Sequence, residues 1–381
     1  MELKLTVAAG PFDRALCPVR VAIPELREDT GAKLVEAESG KEIPCQVAEG
    51  ELAFLLEKLP KGSARAYALT LGGAPAKPTS DFGVKEVPDG LEFTVGGQLF
   101  TRYNYAASQT RPYFHPTIGP GGVRVTRSYP MEEGYEGPDE SKDHPHHTGI
   151  YVAHGEVNDV NHWGGRNAGK QLHKEFGPIA RGPVYAGARE HLEWVAPDGT
   201  PTLSERRTFA VYNLPGEDRL LDVTTTLIAE YGPVHFGDTK EGGLISVRVA
   251  SSMEGKRGKG LIENAMGGKT EKETWGKQAP WCHYSGPVGD TTQGIGVFDH
   301  PTNPRYPTNW HVRDYGLFSA NCFGYHDFFP NTQRHGSLHL KQGEHLTFRY
   351  RLHFHRGDAA AGNTDAHWTN FALPPFTAVE G

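Results

Sequence analysis

Through most of the chain apolar and polar residues alternate with a period of two, the pattern of strands with one buried and one wet face. Val19-Arg20-Val21-Ala22-Ile23 alternates, Glu51–Leu56 is a short apolar run, and Ala64–Leu71 alternates again, with Gly or Pro in the turns between them. Further strands are predicted at Leu91–Val95, Val123–Thr126, Leu220–Ala229, Leu244–Ala250 and Gly294–Phe298. Gly336–Leu340, a Lys-Gln-Gly-Glu turn and His345–His355 form the closing pair, with Leu346, Phe348, Tyr350, Leu352 and Phe354 on one face. No window of about 12 residues or more carries the 3.6-residue period of a helix. The predicted fold class is all-β. A small N-terminal β-sandwich (1–72) and a Gly/Pro-rich linker (73–80) precede a large antiparallel supersandwich (81–381).

Composition agrees with many short strands and tight turns. The 47 Gly and 28 Pro among 381 residues amount to about a fifth of the chain, against an average near 12%. A net charge of −7 argues against a nucleic-acid partner, which needs a basic face to neutralise phosphates. No stretch approaches the roughly 20 apolar residues of a membrane-crossing helix, and Met1–Leu5 reads as a first strand, so a cytoplasmic protein with no membrane partner is expected. Cys17, Cys45, Cys282 and Cys322 are widely spaced and read as buried free thiols. No GxSxG occurs and no GxGxxG follows a strand, so neither that hydrolase motif nor a nucleotide cofactor is expected.

Chemistry-bearing residues gather in three stretches. Six of the 19 histidines lie between His115 and His162, more than twice an even share. Arg111, Arg127, Asn161 and Trp163 belong to the same region. Within it Asp143-His144-Pro145-His146-His147 is the sharpest feature. Neutral imidazoles there would bond sugar hydroxyls and exchange protons near neutral pH. Asp143, His144 and His146, with His311 as a further ligand, would alternatively hold a divalent metal. The second stretch, Asp238–Gly243, sets Lys240 beside Glu241, a base with a charged neighbour. The third, Asp299–Tyr315, carries Trp310, His311 and Arg313 and suits a sugar ring on an aromatic platform.

Taken in order, Arg111–Pro116, Val125–Arg127, Asp143–Gly149, Asn161–Trp163, Asp238–Gly242, Arg248–Ala250 and Asp299–Arg313 resemble an uncharacterised bacterial family, a domain of unknown function often labelled "methane oxygenase-like". The chain offers none of the spanning helices a membrane oxygenase needs. More distantly, Pro112-Tyr113, Arg127, His146–Gly149, Trp163 and Leu340–Glu344 resemble the galactose mutarotase-like supersandwich group. That resemblance implies the supersandwich fold, sugar hydroxyls held by His146 or His147, and ring-oxygen protonation by His235. Where the mutarotases carry their Glu base, this sequence has Ala320-Asn321-Cys322.

The expected function is carbohydrate-directed: epimerisation, elimination or hydrolysis of a sugar, uronide or oxidised glycoside. His146, His147, Glu241 and His311 are the expected acid–base residues. Arg111, Arg127, Arg248 and Arg313 are expected to hold hydroxyls or a carboxylate through their guanidinium forks. Asn161 and Lys240 are further expected contacts, and Trp163 and Trp310 the stacking surfaces. A non-catalytic carbohydrate-binding protein is the remaining alternative, and oligomeric state is open.

Overall fold

A computed structural model describes residues 1–23, 26, 30–329 and 333–381. Antiparallel sheets dominate, and the longest helix among the described residues spans nine, Thr364–Ala372. The closing strand, His345–Arg356, shows why. Its even positions Phe348, Tyr350, Leu352 and Phe354 enter the main core, while its odd positions face the other way.

That strand lies inside a nine-stranded sheet, which packs face to face with an eight-stranded one. Edge-on aromatic pairs cross the interface: Phe93 meets Phe209 with ring centroids 6.0 Å apart, and Phe100 meets Phe354 at 5.4 Å. The core also houses an ion pair. Arg207 and Glu205 are fully buried, and Arg207 donates to both carboxylate oxygens at 2.7 and 2.8 Å and to the Tyr103 hydroxyl at 3.0 Å. With its donors occupied in this way, the pair escapes the penalty of an isolated buried charge.

Residues 2–71 form a second, smaller two-layer unit of five and three strands with its own core, including Leu5, Val19, Leu34, Phe54 and Leu69. One of its strands comes from far away. Phe376–Glu380 pairs antiparallel with Glu2–Ala8, aligning Val379 with Leu5. The far end of the chain thus joins the N-terminal sheet rather than the large sandwich expected over 81–381. The helix Thr364–Ala372 bridges the two units, with Asn370 donating to the Ala15 carbonyl at 3.0 Å.

Candidate functional site

The outer face of the eight-stranded sheet supplies the site's floor. Strand register aligns His311, Ser319, Ser246, Tyr151 and Tyr113 in one row across five strands. The neighbouring row, Val312, Phe318, Val247, Ile150 and Phe114, points into the core. Two serines at the centre, bonded to each other at 2.8 Å, keep the floor low between His311 and Tyr151.

Above this floor lies an open cleft of about 670 Å³, lined by His144, His146, Asn161, Trp163, Thr239, Glu241, His311, Arg313 and Tyr315 among others. Residues from all three chemistry-bearing stretches therefore meet in one hollow. Its size falls in the range of roughly 300–1,000 Å³ usual for small-molecule sites. A tighter cleft of about 200 Å³ beside Gln46–Glu49 contains no histidine, and its Arg189 is paired with Glu49 at 3.0 Å.

His311 has a fixed tautomer. The Trp275 indole N–H donates to its Nδ1 at 3.1 Å, and an indole nitrogen only donates. Nδ1 must therefore carry the lone pair, which leaves the single proton of the neutral ring on Nε2. Burial, reinforced by Arg313, Lys240 and His144, lowers its pKa to about 3, so the ring is neutral at physiological pH. His146 is neutral for the same first reason. Burial, with Arg111, His144 and two further arginines nearby, brings it to about 4.

Glu241 brings the carboxylate. Its side chain is half exposed, with the Lys240 ammonium 4.0 Å away; Lys240 itself is tied to Asp327 at 3.3 Å and stands at the cleft's edge. Arg313 faces the cleft while its Nε lies 2.9 Å from Glu271. Tyr315 stacks on His144 at 4.7 Å, and His144 stacks on His147 at 4.9 Å, making a three-ring pile.

Several expected ligand contacts are framework instead. Arg127 is fully buried and donates to the carbonyls of Tyr129, Ser141, Asp143, His144 and His147 and to the Asp143 carboxylate. Arg111 holds the carbonyls of His146, His162 and Trp163. Arg248 spans Asp143 at 2.6 Å and Glu254 at 3.0 Å, with His147 Nδ1 at 3.4 Å. These guanidiniums shape the His-rich loop from beneath, because an irregular buried loop needs donors for its carbonyls. Asn161 bonds the Trp163 and Gly164 amides, folding its own turn.

Other assignments change for reasons of alternation and pairing. Trp310 is buried in the core, its indole donating to the Ala279 carbonyl at 2.9 Å; adjacent residues of a strand face opposite ways, so His311 outward forces Trp310 inward. His147 is buried behind His144 and His146 and does not line the cleft. His235 stacks on His339 at 4.4 Å, away from the cleft lining. Asp143 accepts from Arg127, Arg248 and Lys256. Burial alone would raise its pKa, but Arg248 and Lys256 hold the carboxyl well below the usual range. A metal ion at Asp143 would have to displace these cations. Asp143, His144 and His146 also do not bring their ligand atoms within one ion's reach.

Trp275, Tyr151 and Gly164 belong to the site although no motif points to them. Gly164 has φ 151°, and a Cβ there would strike the His146 ring. The Gly164-Gly165 pair directly after Trp163 is the readable sign of that close approach.

No curated protein matches the chain. Two solved structures from Enterococcus faecalis align over its full length, each with a TM-score of 0.43. They are a protein in the glycosyl hydrolase family 38, 11% identical, and an alpha-mannosidase, 10% identical. The chain covers 47% and 46% of those two, less than half of each. The sequence model of the Family of unknown function (DUF6807) matches residues 90–369, which takes in the whole cleft, and the chain belongs to that family.

Proposed function

We propose that the cleft binds a sugar-sized acid or keto-sugar and moves a proton on a carbon next to its carbonyl or carboxylate, as an epimerase or a β-eliminating lyase does. The observation that carries this reading is the pairing of roles: an open carboxylate, Glu241, shares a cleft with an imidazole, His311, held neutral with its proton on Nε2. In this mechanism Glu241 takes the carbon-bound proton. The His311 Nε2–H donates to the oxygen that gains negative charge, as a preorganised donor. Arg313 faces the substrate's carboxylate, and Trp163 and Tyr315 wall the ring. His146, neutral and half-buried, exchanges a proton with a hydroxyl or leaving group.

Hydrolysis by the common two-carboxylate route fits less well. That route needs a pair of carboxyl groups flanking the bond, and Glu241 is the one acidic residue among the cleft's described lining.

The test is proton exchange. A panel of uronic acids and keto-sugars incubated in D2O with the protein should yield at least one that gains deuterium at a single carbon. Glu241→Gln should slow that exchange at least about a hundredfold, the low end for general base catalysis. Exchange at an undiminished rate in Glu241→Gln would remove this reading.

A further inference from the structure

A second histidine cluster lies on the outer face of the nine-stranded sheet and shares no residue with the cleft lining. His353 and His355 are successive outward positions of the closing strand, His283 reaches over from its own strand, and His367 comes down from the Thr364–Ala372 helix. Space for these rings is made by an absent side chain. A Cβ at Gly294 would lie 2.6 Å from the His355 ring and 2.8 Å from His283 Nε2.

We propose that Asp218, His353 and His367 of this cluster bind one divalent transition-metal ion of the zinc class. Each offers a ligand atom within 4.8 Å of the others, and no other such trio occurs among the described residues. His353 Nε2 and Asp218 Oδ2 are 3.3 Å apart. That is long for a charge-assisted hydrogen bond. Two ligands of a tetrahedral ion with bonds of about 2.0–2.2 Å would stand roughly 3.3–3.5 Å apart.

The tautomers favour ligation too. His353 Nδ1 is buried without a hydrogen-bond partner, so nothing donates to it and nothing fixes the proton on Nε2. His283 and His355 are committed to one another at 2.9 Å, with His355 Nδ1 on the Arg356 carbonyl, and they act as backing for His353. His353 is buried while the Asp218 side chain is 37% exposed, which gives an ion a way in and leaves a fourth position for water. Because the ligands come from a strand, a strand entrance and the bridging helix, the ion would pin that helix to the sheet.

The experiment uses the untagged full chain, stripped with chelator and titrated with Zn2+ against a chromophoric competitor, with Co2+ as a spectroscopic probe. One ion per chain should bind, Co2+ should give the strong visible bands of a four-coordinate site, and saturating Zn2+ should raise Tm by at least about 3 °C. Asp218→Asn, a change at the rim, and His367→Gln should each weaken binding at least about a hundredfold. His146→Gln, in the cleft, should leave it unaltered. Absence of stoichiometric binding overturns the proposal, as does binding that survives in both Asp218→Asn and His367→Gln or is lost in His146→Gln.

Discussion

The indole N–H of Trp275 donates to Nδ1 of His311 at 3.1 Å, and so decides which nitrogen of that imidazole is protonated. A residue without the donor should release the choice. In Trp275→Phe, which keeps an aromatic ring, 15N chemical shifts of His311 should change from a pure Nε2–H form to a tautomer mixture. Exchange activity should fall by about ten- to a hundredfold, the usual effect of losing the group that orients a reacting imidazole. A wild-type tautomer pattern in the variant would show that some other contact sets it.

Glu241→Gln separates catalysis from folding. The side chain is half exposed and its nearest cation is 4.0 Å away, so the urea midpoint should move by no more than the equivalent of about 0.5 kcal/mol. Activity should still drop at least about a hundredfold. A large loss of stability would instead assign Glu241 to the framework.

Arg127→Met should do the reverse. The guanidinium is fully buried and supplies donors to five carbonyls of the His-rich region. Removing it leaves those carbonyls and part of the Asp143 charge unmatched, at a cost of about 3–5 kcal/mol. Equilibrium urea denaturation checks this, and a change below about 1 kcal/mol would mean that the loop finds other donors.

Acid should unfold the protein early. His115, His146 and His154 have pKa values lowered to about 4, and His162, His311 and His367 to about 3, in each case first by burial. The unfolded chain holds these groups near 6.5 and so binds more protons than the folded one between about pH 6.5 and 4. The stability contributed by keeping the rings neutral is therefore complete above pH 6.5 and is lost as pH falls through that window. Thermal melts should show Tm dropping steeply from pH 6.5 to 4.5, and a flat profile there would contradict the burial of these rings.

What could be read from the sequence follows from how strictly strands alternate. Ala64–Leu71 occurs as predicted and the closing strand extends one residue further, to Arg356, because both have clean apolar faces. Pro201–Tyr212 escapes such a reading because Glu205 and Arg207 stand at inward positions of that strand, so a buried ion pair looks like a wet face. Val123–Thr126 makes only single bridges, Ile118 with Arg124 and Thr126 with Val249, after a turn through Gly121 and Gly122 at positive φ.

Of the site, the three chemistry-bearing stretches are legible from their unusual residue density. The division of labour within them is not. Nothing local distinguishes an arginine that braces a loop's carbonyls, such as Arg127, from one that faces a cleft, such as Arg313. Trp275 contacts His311 across 36 residues and stands in no motif.

The pairing of Phe376–Glu380 with Glu2–Ala8 also sets a timetable. Lys4 and Glu380 meet across 376 residues of chain. At about 5–20 residues per second, a ribosome needs roughly 20–75 s to make that span. Until then the first strand to emerge has its other neighbour, Ala64–Leu71, but lacks the partner for its free edge. For that interval the nascent protein carries an open strand edge, the feature by which chains associate wrongly, and a chaperone that shields strand edges would act there.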